Sequence, residues 1–182
     1  MRTTRGGTPL LVTACFVLLT GCTSGSRQAT PTTPDPWTAL RRPLAPPAVS
    51  AGTCPTGSPR AVNPAFGPAI GDGPVYAVLG AGVLHADSAG MYKTLWVADP
   101  IYQGLVLIRG WQLDGDATVA FQVGVPGTPI PEMRLQQSGA SAPGDLGWRQ
   151  WPSLSILPGP GCYAIQVDGQ TFTETVVVQI VA

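Results

Sequence analysis

The sequence predicts an all-β sandwich over residues 54–182. From residue 75 onward, apolar residues come in short runs with a period of two, the alternation of half-buried strands. Turn-forming residues punctuate these runs, and the chain holds 23 Gly and 20 Pro in 182 residues, a content that disfavours long helices. No stretch keeps a 3.6-residue amphipathic period beyond about ten residues. The block is long enough for one self-sufficient core.

The elements follow in order. Residues 54–74 are Gly- and Pro-rich and read as loop. Val75 to Leu79 is the first strand-like run, and Thr94 to Ala98 the second, ended by Asp99-Pro100. Leu105 to Leu113 is longer, and Ala117 to Val123 follows it across Asp114-Gly115-Asp116. Met133 to Leu135 is short; Trp148 to Leu157 contains a strand interrupted by Pro152. Tyr163 to Val167 and Phe172 to Val181 form the final pair. Tyr163, Ile165 and Val167 fall on one face, as do Phe172, Val176, Val178 and Ile180, with Glu174 as the odd polar member. Asp168-Gly169 between the two runs predicts a hairpin with a type I′ turn, which needs positive φ at both central positions. Asp114-Gly115 offers the same chemistry. Seven or eight short strands with regular turns make a sandwich.

The closing stretch Pro160-Gly161-Cys162-Tyr163-Ala164-Ile165-Gln166-Val167-Asp168-Gly169 resembles the last hairpin of bacterial immunoglobulin-like domains. Together with Gly110-Trp111-Gln112-Leu113-Asp114-Gly115 it is similar to single-domain secreted bacterial lipoproteins. The resemblance implies an immunoglobulin-like β-sandwich, with Tyr163 in the core and its hydroxyl bonded to nearby backbone. It carries no active site. The Cys–Trp–Cys spacing of antibody domains is not part of the pattern, so the likeness is one of architecture.

The N-terminus reads as an address. Arg2 and Arg5 precede an apolar run from Leu10 to Leu19, the layout of a secretory signal. The run is shorter than the roughly 20 residues that cross a bilayer. It ends in Leu19-Thr20-Gly21-Cys22, which resembles the lipobox of bacterial lipoproteins. The resemblance implies a signal peptide over 1–21, acylation of Cys22 with cleavage before it, and residence at the cell membrane facing the extracytoplasmic side. Val12-Thr13-Ala14-Cys15 also fits the pattern, but cleavage there would leave an apolar stub behind it. Residues 22–53 are Pro-, Thr-, Ser- and Ala-rich and read as lipidated N-terminus and disordered tether. Within them Asp35 and Pro36 could start a helical turn. Trp37 reads as a lone linker aromatic, docking on the domain or on lipid headgroups being the alternative, and Arg41-Arg42 could touch anionic lipid.

The chain carries 10 basic and 10 acidic side chains, and only 11% of residues are charged. Such neutrality excludes the dense positive face of a nucleic-acid binder. With Cys15 assigned to the signal and Cys22 to lipid, Cys54 and Cys162 remain. Outside the cytoplasm such a pair favours a disulfide, two free thiols being the alternative. No Cys-x-x-Cys suggests zinc or redox chemistry. His85 is the only imidazole, and Asp87 and Ser88 share its short loop. No Gly-x-Ser-x-Gly elbow accompanies them. Asp114-Gly115-Asp116 lacks the spaced acids of a calcium loop, and the glycines between 71 and 90 lack the Gly-Lys-Ser/Thr of a phosphate loop. No metal or cofactor is expected. Trp96 and Trp111 read as core. Trp148 and Trp151 flank Arg149-Gln150 and could stack on a sugar ring.

These residues point first to a non-catalytic domain anchored in the membrane and contacting other proteins of the cell envelope. The alternative is a cell-wall carbohydrate-binding module built on Trp148 and Trp151. A hydrolase built on His85 and acids such as Asp87 or Asp99 ranks third.

Overall fold

The computed structural model describes residues 34–49, 52–86, 88–124, 126–140 and 146–182. The signal sequence, Cys15 and the expected acylation site Cys22 lie outside these residues. Pro34–Ala182 forms a compact unit of its own. It holds all ten strands, both apolar clusters and the disulfide.

The alternating runs become two facing sheets. The strands are β1 (Ala69–Ile70), β2 (Val75–Val78), β3 (Val83–His85), β4 (Met91–Ala98), β5 (Val106–Gln112), β6 (Thr118–Gln122), β7 (Glu132–Leu135), β8 (Arg149–Ile156), β9 (Gly161–Gly169) and β10 (Thr173–Val181). They follow the order β1-β2-β4-β8-β6-β5-β9-β10-β3, with β7 paired to β5. The path is a curled, sandwich-like sheet, and β6 is its corner. Thr118 and Val119 pair with Trp111 and Gly110 of β5, while Ala120 to Gln122 pair with Ile156 to Leu154 of β8. Gly110 permits this corner, because a Cβ there would sit 2.8 Å from two carbons of Val119. Pro152 lies inside β8, but β6 reaches only Leu154 to Ile156. On that side Pro152 faces no strand, where a residue without an N–H is tolerated.

The core lies between the two halves. Val75, Ala77, Trp96, Ala98 and Phe121 come from one side, and Val106, Ile108, Tyr163, Ile165, Val167, Val176, Val178 and Ile180 from the other. The Tyr163 hydroxyl donates to the Gly159 carbonyl at 2.9 Å. All the predicted runs form strands; β1 and β3 are additions, both short and both at sheet edges.

Three local expectations are corrected. The β9–β10 turn is centred on Gln170 and Thr171, with Gly169 N–H donating to Phe172 O at 3.0 Å. Asp168 and Gly169 belong to β9, and Gly169 is not among the positive-φ glycines. It is needed because a Cβ there would meet the Phe172 ring at 2.1 Å. Gly115 likewise lies outside the positive-φ set, and Asp114 instead accepts the Cys162 N–H at 3.0 Å. Trp96 is core, but Trp111 pairs with Ala164 on the opposite, outward phase of its strand and is only half-buried.

The compact unit begins at Pro34, well before the expected boundary at residue 54. Asp35 caps α1 (Pro36–Leu40), its carboxylate accepting the Trp37 N–H. Trp37 and Leu40 bury themselves with Leu105 and Leu107. The following residues cross the outward face of β9: the Ala45 N–H donates to Gln166 Oε1 at 2.9 Å, and Gln166 Nε2 donates to Pro43 O. Composition alone read this segment as tether, because its apolar anchors are only two and its tertiary hydrogen bonds go to partners 67 to 130 residues away.

Candidate functional site

The strap formed by residues 35–49 decides which surface is free. Arg42 donates to the carbonyls of Gly169, Gln170 and Phe172, closing the β9–β10 turn. Beneath it Asp168 has no exposed surface. Its carboxylate accepts from Arg109 Nη2 at 2.6 Å, from Gln166 Nε2 and from Thr173 Oγ1. Arg109 also donates to Arg42 O, and Arg41 pairs with Glu132 at 2.5 Å. The Arg41-Arg42 pair, expected to touch lipid, is thus engaged within the domain. Cys54 and Cys162 form a disulfide, Cα to Cα 5.5 Å, which fixes the far end of the strap to β9. The outward face of β5, β9 and β10 is therefore built over.

The tryptophans expected to hold a sugar are placed otherwise. Trp148 is buried, edge-on to Phe66 at 5.8 Å and tilted against Tyr76 at 5.9 Å. Trp151 pairs with Trp96 and packs on the core. Arg149 lies over its ring at 5.0 Å, and a Cβ on Gly139 would meet the same ring at 2.8 Å. The Arg149 guanidinium is buried and donates to the carbonyls of Tyr102, Gly104 and Gln137. Burial pushes its pKa below the ordinary value. The structure therefore does not bring Trp148 and Trp151 together as an open stacking platform.

His85 ends β3 with its side chain exposed, and its carbonyl accepts from the Tyr92 hydroxyl at 3.2 Å. Asp87 lies outside the described residues. Asp99 accepts the Ile101 N–H and caps the turn after β4. Among the described residues no group of three or more His, Cys, Asp and Glu could hold a metal ion. No helix among them is long and apolar enough to cross a membrane.

Glu174 is the odd polar residue of the last strand. It faces inward at the open end of the sandwich, and its Oε2 accepts the backbone N–H groups of Asp72 and Gly73 at 2.8 and 2.9 Å. Its Oε1 is buried with no hydrogen-bond partner. Burial raises its pKa from 4.5 to about 7, against the lowering effect of those two N–H bonds.

Among the described residues, a half-buried apolar face lies on the other sheet. Because Trp96 and Trp151 point inward, their neighbours in β2, β4, β8 and β6 point out. The outward set is Val78, Leu95, Pro152, Leu154, Ile156 and Met91, joined by Lys93, Ala120 and Gln122. Val78 lies opposite Leu95, Leu95 opposite Pro152, and Leu154 between Lys93 and Gln122. A groove of about 500 Å³ runs along this face. The face is not evident from strand alternation, although its signal is present: Val75 to Leu79 and Thr94 to Ala98 are largely apolar in both phases. Such runs fit strands covered on both sides.

Comparisons with protein-family models, with curated proteins and with solved structures find no match.

Proposed function

We propose that this is a lipid-anchored protein of the bacterial cell envelope whose β-sandwich works by binding rather than by catalysis. The observation that carries the reading is the uncovered apolar face around Leu95 and Leu154. A concave, mostly apolar cleft of this volume is the usual form of a binding site on a folded domain. The strap covers the opposite sheet, so the two outward faces are unequal in the way a binding domain requires.

Acylation of Cys22 supplies the anchor. Two or three acyl chains, at about 0.8 kcal/mol per buried CH2, give lasting attachment. With the strap docked from Pro34 onward, the chain from Cys22 to Pro34 spans about 40 Å at most. Metabolic labelling with a clickable fatty acid tests the anchor: the protein is labelled and sediments with membranes, and Cys22→Ala abolishes both. An unlabelled wild-type protein would overturn the proposal.

A further inference from the structure

We infer that the groove on the outward face of β2, β4, β8 and β6 binds a single-chain anionic amphiphile, a fatty-acid carboxylate. The inference rests on reading this face as the binding surface and names its ligand. Its apolar lining comes from Val78, Leu95, Pro152 and Leu154, with Gln122 and Gly124 at one end. Its volume of about 500 Å³ falls in the range of small-ligand clefts, roughly 300–1,000 Å³. The groove crosses four strands, a width of about 14 Å at the usual inter-strand spacing. It therefore offers an elongated apolar slot suited to a medium-length acyl chain.

Charge selects the head of the ligand. Lys93 lines the groove and is the only lysine in the chain. Among the described residues no carboxylate lines the groove beside it. Among the described residues Lys93 forms no ion pair, whereas Arg41, Arg42, Arg109 and Arg134 all do. An apolar slot with one free ammonium fits a ligand having an apolar chain and one negative end. A symmetric second copy would instead bring further lysine toward this face with no acid to meet it. A protein interface of standard size needs about 800 Å² per partner, more surface than a slot of this volume requires of its ligand.

The test uses the compact unit Pro34–Ala182, with its disulfide formed and its fold checked by thermal melting. Dodecanoate and dodecanol are titrated while backbone amide shifts are followed by NMR. Dodecanoate is expected to bind saturably at one site, with shifts centred on residues 78, 93–95, 122–124 and 153–154. Lys93→Gln should weaken dodecanoate about fivefold, the weight of one partly exposed charge pair, and leave dodecanol unchanged. Leu154→Asp, at an outward position, should abolish both while the fold is kept. Absence of saturable dodecanoate binding, or equal weakening of both probes by Lys93→Gln, overturns the inference.

A second arm separates this inference from the reading beneath it. A photo-crosslinker at position 95 of the full chain is irradiated in intact envelopes. Capture of one protein, lost with Leu154→Asp, together with no dodecanoate binding, overturns the amphiphile and leaves the binding face standing. No capture and no dodecanoate binding overturns both.

Discussion

Glu174 stands where period two demands an apolar side chain, and its chemistry follows from that position. Its raised pKa of about 7 means that the folded protein holds a proton there which the unfolded chain releases near 4.5. Between those values the folded state binds more protons, so this group makes stability fall as pH rises from about 4.5 to 7. The effect amounts to at most about 3 kcal/mol, and it flattens above the folded pKa. Glu174→Gln should remove this slope: the melting temperature of the variant, relative to wild type, should rise between pH 5 and pH 8. A parallel pH dependence in the two proteins would contradict the assignment. The position was legible in the sequence as a polar residue in an apolar phase; its partners, two backbone N–H groups from the β1–β2 loop, were not. Trp111 shows the converse. Leu105 to Leu113 is apolar in both phases, so alternation alone could not say that Ile108 faces the core while Trp111 faces out.

Among the elements, the strap of residues 35–49 is held by polar groups as much as by its two apolar anchors. Asp168 joins the two arginines that grip it: Arg109 reaches Arg42 O, and Arg42 closes the β9–β10 turn. Removing this carboxylate leaves the mostly buried Arg109 charge uncompensated. Loss of one partner from a buried pair costs about 3–5 kcal/mol. Asp168→Ala should therefore lower stability by that order. Hydrogen exchange should also show the Ala45 amide losing protection before the strands open, since Gln166 would lose the partner that orients its side chain. Asp168→Asn, which keeps the shape and one of the two acceptor oxygens, should fall between. A strap whose exchange stays unchanged in Asp168→Ala would show that Trp37 and Leu40 alone hold it. Strand positions were readable because alternation is local information. The strap was not, because its tertiary hydrogen bonds join residues separated by 67 to 130 positions and its composition is that of a linker.

At the scale of the molecule, the disulfide closes a chain segment of 108 residues, nearly the whole sandwich. Cys54 follows the strap, and Cys162 lies on β9 between the pairings with β5 and β10. The bond therefore ties the segment that follows the strap to the centre of the second sheet. The cysteine count, read with the expected compartment, made this pairing legible in the sequence; the face it closes over became visible only once the strap was seen to share it. In the chain-entropy account a loop of this length contributes about 4–5 kcal/mol, by limiting the unfolded chain. For a unit of this size that corresponds to a fall in melting temperature of roughly 10–20 °C. The double variant Cys54→Ser/Cys162→Ser should show that fall, and reduction of wild type with dithiothreitol should reproduce it. Because the bond lies on the covered sheet, dodecanoate shifts around Leu95 and Leu154 should persist in the double variant below its melting point. A reduced protein that melts at the wild-type temperature would show that the strap and core, not the covalent tie, set the stability of the domain.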